Sequence, residues 1–176
     1  MRTLGSWDSP NGPASLVDFV DIDEQLRYLR RLITSFRGNP AIRNLAVQII
    51  QEGQVPARDK KAQSLAIGDW VQQNIYYIHE LPERFQDPTE TLRLKAGDCD
   101  DMTSLIGSLL ESIGIPSVMV CMKVNGGWAH IFPAARIPET NGLLPLDATM
   151  RFAVSLGRNP IEWANERGKH VTIKLA

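Results

Sequence analysis

One segment limits the fold of this chain more than any other. Gly97-Asp98-Cys99-Asp100-Asp101 is followed by apolar residues at Met102, Leu105, Ile106, Leu109, Leu110 and Ile113. Spacings that alternate between three and one trace one face of an α-helix. Asp98 reads as the N-cap, with Asp101 three places on in a capping-box position. Gly114 closes the helix and Pro116 prevents its return. Cys99 therefore falls in the first helical turn, where backbone N–H groups and the positive end of the helix dipole favour a thiolate. The neighbouring aspartates raise the thiol pKa if they face the sulfur. Capping aims Asp98 and Asp101 at backbone amides instead, and the thiolate then needs a cation. The plain alternative is a small inert residue at a helix start, and only the segments downstream weigh against it.

Those segments read as strands. From Ser117 to Val124, Val118, Val120, Met122 and Val124 share one face, and Met119, Cys121 and Lys123 the other. Asn125-Gly126-Gly127 is a hairpin turn, and Trp128 to Phe132 returns, carrying His130. A second turn at Thr140-Asn141-Gly142 leads into Leu143-Leu144-Pro145-Leu146-Asp147, a short strand whose proline suggests an edge or an end. Antiparallel pairing can set His130 beside Asp147, and a helix packed on that sheet can bring Cys99 to the imidazole. A Cys, a His and an Asp in this order suit a nucleophile, its base and an orienting carboxylate. His79 and His170 have no comparable context and read as structural.

With these residues in hand, the chain resembles the transglutaminase-like superfamily, whose core is papain-like. The nucleophile motif stands as Gly97-Asp98-Cys99-Asp100-Asp101 through Gly114-Ile115-Pro116. The family histidine matches His130 beside Trp128, and its aspartate matches Asp147-Ala148-Thr149. The resemblance covers about residues 60–150. It implies a Cys99–His130–Asp147 triad and acyl transfer through a thioester. Many relatives read His-Ala-Trp. Here Trp128-Ala129-His130-Ile131-Phe132 makes a different wall. An oxyanion hole needs two donors. The Cys99 N–H is one, and in this family an upstream aromatic can supply the other. Tyr76 and Tyr77 are the candidates, whereas Trp70 shares a face with Ala62, Leu65 and Ala66 and reads as core.

The fold expected is α+β: N-terminal helices and the cysteine helix packed on an antiparallel sheet. Residues 1–20, rich in Gly, Pro, Ser and Asp, read as an extended arm, and 21–176 as a single domain. Asp23 to Phe36 reads as a helix, with Leu26, Leu29, Ile33 and Phe36 on one face. A second opens at Asn39-Pro40 and runs to Gly53, and a third runs from about Asp59 to Tyr77. His79 to Arg93 reads as a loop, Asn159-Pro160 as the start of a short helix, and His170 to Leu175 as a final strand.

A formal net charge of −1 over 176 residues gives no electrostatic footprint for nucleic acid or an anionic membrane. No stretch has the apolar length of a membrane span, and no apolar run follows Met1-Arg2 as in a signal peptide. The resemblance to phage-encoded members of the superfamily implies a location in a bacterial host cytoplasm or a virion. Two cysteines make no disulfide framework. No His/Cys cluster has zinc-ligand spacing, and the aspartates around Cys99 lack EF-hand spacing, so no metal or other cofactor is expected. Cys121 reads as a buried strand residue.

The leading expectation is a thiol hydrolase acting on a peptide, protein or peptidoglycan amide. A lysine amine in place of water would make the same chemistry a protein cross-linker. The expectation from another class is an assembly protein that keeps the fold. Transglutaminase-like proteins of this size resemble ones encoded among tailed-bacteriophage structural genes, and the N-terminal arm suits docking onto virion proteins.

Overall fold

The structure, a computed structural model, describes residues 2–9, 12–18, 21–79, 85–138, 142–149, 160–165, 169 and 171–176. Its first five helices each open on an Asp or Asn whose side chain accepts from backbone amides of the first turn. These are Asp21 for α1 (Ile22–Phe36), Asn39 for α2 (Pro40–Glu52), Asp59 for α3 (Lys60–Asn74), Asp87 for α4 (Pro88–Leu94) and Asp98 for α5 (Cys99–Ser112). Such caps satisfy donors that a helix cannot bond internally. A sixth helix, α6, spans Pro160–Asn165. Asn159 and His170 lie outside the described residues, as do Pro82 in the loop after His79 and Thr140-Asn141 of the second turn.

The strands are β1 (Arg2–Ser9), β2 (Gly12–Asp18), β3 (Tyr76–Tyr77), β4 (Ala96–Gly97), β5 (Ser117–Val124), β6 (Gly127–Ile137), β7 (Gly142–Pro145) and β8 (Val171–Leu175). Where composition reads as an extended arm, β1 and β2 pair antiparallel. The main sheet runs β7-β6-β5-β8, all neighbours antiparallel. Pro145 ends β7, which is an edge strand, as a proline in a sheet requires. Asn125 and Gly126 both have positive φ, 50° and 90°, which suits a tight hairpin turn between β5 and β6.

α5 is the hub. Met102 to Leu110 are all buried, and α1, α2, α3, α4 and β6 pack around it. Because the helix is enclosed, its serines turn inward: Ser104, Ser108 and Ser112 donate to carbonyls of the preceding turn at 2.7–3.0 Å. One cluster joins α2, α3, α5 and the Ala135–Ile137 end of β6. A second joins Leu26, Leu29 and Ile33 of α1 to Met119, Cys121 and Ile131, with Cys99 at its margin. A third, on the other face of the sheet, holds Val120, Met122, Phe132 and Ala134. α1 lies close on α5 because Gly107 has no side chain; a Cβ there would stand 2.7 Å from Ile33 Cδ1.

Four expectations are corrected. The third helix stops at Asn74 rather than Tyr77, because Tyr76–Tyr77 pairs in parallel with Ala96–Gly97. The buried face of α3 is Gln63, Ser64, Ile67, Gly68 and Val71, while Leu65, Ala66 and Trp70 are partly buried and pack against the core. The loop read from His79 to Arg93 contains α4, whose Asp87-Pro88 start repeats the cap-plus-proline signature of Asn39-Pro40. The return strand extends to Ile137, because its second half pairs with both β5 and β7.

Candidate active site

The start of α5 is held by reciprocal capping. The Asp98 carboxylate accepts from the Asp100 and Asp101 amides at 2.9 and 3.3 Å, and Asp101 Oδ2 accepts from the Asp98 amide at 3.2 Å. Asp101 Oδ1 also accepts from the Gln86 amide at 2.8 Å, tying in the segment before α4. Both aspartates are thus spent on backbone, and Cys99 sits at the first helical position. Asp100 is engaged differently. Its Oδ1 stands 3.8 Å from the Cys99 sulfur, within reach of a weak S–H donor, and its Oδ2 accepts from Gln25 Nε2 at 2.8 Å.

Across the sheet, His130 Nε2 stands 2.7 Å from Asp147 Oδ2. Asp147 is buried and, when ionised, can only accept, so a neutral imidazole paired with it donates from Nε2 and leaves Nδ1 as the acceptor. The other oxygen, Asp147 Oδ1, accepts from the Thr149 amide at 3.1 Å and the Thr149 hydroxyl at 2.7 Å. The threonine of the Asp-Ala-Thr run therefore fixes the carboxylate that fixes the imidazole. The pairing is set by register: Leu146 N donates to Pro133 O, extending the β6–β7 alignment to Asp147.

Cys99 and His130 line one cavity of about 450 Å³, together with Ile22, Gln25, Tyr77, Cys121 and Trp128 among others. The ladder slips by one residue at Ala129, between the Met122–His130 and Lys123–Trp128 pairs. This bulge sends Trp128 to the face of Lys123, whose ammonium lies 5.3 Å from the indole centroid, and His130 to the face of Met122 and Phe132. Phe132 packs beside the imidazole, with ring centroids 5.9 Å apart. Cys99 packs at the margin of the cluster that holds Ile131 and Cys121, and one cavity borders Cys99, Cys121, Ile131 and His130 alike.

Of the aromatic candidates, Tyr77 and Trp128 line the cavity, 48% and 41% exposed, whereas Tyr76 is outside its lining. Neither cysteine is in a disulfide. Burial, with Asp100 nearby, pushes the Cys121 thiol up to about 11, so it is an unreactive neighbour. His79, read as structural, also lines the cavity. Gln25 and Phe85 do too, and neither carries a motif that marks it in the sequence. No cluster of His, Cys, Asp or Glu suited to a metal occurs among the described residues, and none of their helices is long and apolar enough to cross a membrane.

The family model of the transglutaminase-like superfamily matches residues 43–148. The chain belongs to this superfamily. No curated protein matches it. Among solved structures, it is similar to that of "a Putative Cysteine Protease" from Cytophaga hutchinsonii, with 22% identity, a TM-score of 0.52, and coverage of 91% of this chain and 58% of that one. It is also similar to that of "a Putative Protease" from Parabacteroides distasonis ATCC 8503, with 14% identity, a TM-score of 0.55, and coverage of 79% of this chain and 29% of that one. The chain thus spans less than two thirds of either neighbour. At these identities the likeness is one of fold, and it agrees with the α+β architecture of this superfamily member.

Proposed function

We propose that this transglutaminase-like protein is a thiol hydrolase that cleaves an amide or peptide bond through a thioester. The observation that carries the reading is the His130–Asp147 contact at the wall of the cavity that Cys99 also lines. His130 Nδ1 takes the Cys99 proton, and the thiolate attacks the substrate carbonyl. The imidazolium gives that proton to the departing amine, and water, activated by the same imidazole, hydrolyses the thioester. Asp147 keeps the proton on Nε2 and offsets the imidazolium charge. The Cys99 amide, at the positive end of α5, supports the oxyanion, with Tyr77 as the aromatic donor. The substrate class is a peptide, a protein or a peptidoglycan stem. With a lysine amine as acceptor the same steps cross-link proteins.

A second reading is an assembly protein, such as a virion component, that retains the fold without turnover. The Asp100 carboxylate beside the Cys99 sulfur, which resists thiolate formation, favours it. Labelling with iodoacetamide at neutral pH, followed by peptide mapping, separates the two. Fast alkylation confined to Cys99 and lost in His130→Ala supports the hydrolase. Slow alkylation, unaffected by His130→Ala, supports the assembly protein.

A further inference from the structure

We propose that Gln25 of α1 is a positioning residue for the Cys99 thiol, acting through Asp100. The proposal rests on the reading of Cys99 as nucleophile. Gln25 lies outside residues 43–148, the segment that matches the superfamily model. Two contacts form a chain of three side chains. Gln25 Nε2 donates to Asp100 Oδ2 at 2.8 Å, and Asp100 Oδ1 faces the Cys99 sulfur at 3.8 Å. Gln25, Asp100 and Cys99 all line the same cavity.

The chemistry follows from the position of Asp100. It is buried, and it stands beside the thiol that must ionise. A carboxylate there holds the S–H toward itself and resists thiolate formation. Donation from the Gln25 amide to the far oxygen disperses that charge and fixes the carboxylate plane. It weakens the grip on the sulfur while keeping the thiol oriented. The amide is neutral, so it does this without adding a cation that would trap Asp100. The arrangement needs α1 close against α5. Gly107 provides this, since a Cβ there would meet Ile33 of α1. The titratable groups facing the cavity are His79, Asp98, Asp100, His130, Tyr77 and the two thiols. Asp100 contacts both Gln25 and Cys99.

The test is the pH profile of Cys99 alkylation by iodoacetamide, read by mass spectrometry. It is run on the full chain and on Gln25→Leu, Gln25→Glu, Asp100→Asn and Gln25→Leu/Asp100→Asn, with Cys121 labelling as the folding control. We expect Gln25→Leu to move the Cys99 midpoint upward and slow alkylation at pH 7 by about tenfold, the scale of one lost hydrogen bond to a charged group. Gln25→Glu should move it the same way, since a second carboxylate then faces the first. Asp100→Asn should move it downward, and in that background Gln25→Leu should change nothing further. A folded Gln25→Leu protein with the wild-type midpoint overturns the proposal, as does a shift that persists in the Asp100→Asn background. Wild-type Cys99 that reacts no faster than a free thiol in a denatured chain overturns the nucleophile reading itself, and the proposal with it.

Discussion

His130 and Thr149 hold the two oxygens of a single buried carboxylate, Asp147: the imidazole Nε2 at 2.7 Å on one, the Thr149 hydroxyl at 2.7 Å on the other. A carboxylate bonded on both sides cannot rotate, so the imidazole it meets has one orientation. Thr149→Val removes the hydroxyl bond and leaves the weaker contact from the backbone amide at 3.1 Å. Turnover should fall by about tenfold, the scale of one hydrogen bond to a charged acceptor, with KM nearly unchanged. A rise in KM with constant kcat would place Thr149 in substrate binding instead.

Cys99→Ala and His130→Ala should each reduce turnover by about 10⁴-fold or more, and the double variant should be little worse than either, since nucleophile and base act as a unit. Asp147→Asn should cost less, because a thiol depends less on a well-oriented base than a serine hydroxyl does. The measurement is hydrolysis of an amide substrate found by screening peptides and peptidoglycan fragments. Wild-type activity in Cys99→Ala would remove the nucleophile assignment.

Local signals made the helix starts, the β5–β6 hairpin and the capping box legible. A short polar side chain before an apolar period, or an Asn-Gly pair between alternating runs, acts over a few residues. What was hidden depends on partners distant in sequence. Tyr76 and Tyr77 leave the helical pattern because Lys95 and Gly97 supply carbonyls for the Tyr76 and Ile78 amides. The Ala129 bulge, which separates Trp128 from His130, follows from pairing register, and no residue in the hairpin announces it. Gln25 becomes a site residue only because α1 lies against α5. The short Asp87-Pro88 helix was readable by the rule that found α2, but the prolines and polar residues around it read as a loop.

Cys121 offers a pH test of the two thiols. Its folded pKa, about 11, lies above the 9.0 of an unperturbed thiol, so the folded chain keeps this proton longer than the unfolded chain. Stability from this group is complete below about pH 9 and is lost as pH rises from 9 towards 11. Urea midpoints should therefore fall over that interval in the wild type and fall less in Cys121→Ala. Labelling at pH 7.5 should be confined to Cys99 until denaturant opens the core. Equal labelling of both thiols in the folded protein would contradict the assignment.

Gly97 leaves no room for a side chain. A Cβ there would stand 2.7 Å from Asp101 Cβ and 2.9 Å from Asp101 Oδ2, the oxygen that accepts from the Asp98 amide. Asp101 is buried and also holds the Gln86 amide, so it cannot simply swing away. Gly97→Ala must either displace Asp101 from the capping box or move the β3–β4 pairing, in which the Gly97 carbonyl accepts from the Ile78 amide at 3.1 Å. The expected loss is about 1–3 kcal/mol in urea unfolding, as for overpacking of a closed site. Because Cys99 is the first residue past this cap, its alkylation should slow in the same variant. Asp101→Asn tests the cause. The amide still accepts at one atom but not at both, so stability should fall by about 1–3 kcal/mol, and Gly97→Ala should then cost less than it does beside the native aspartate. Full additivity of the two changes would mean that Gly97 acts through β3–β4 alone.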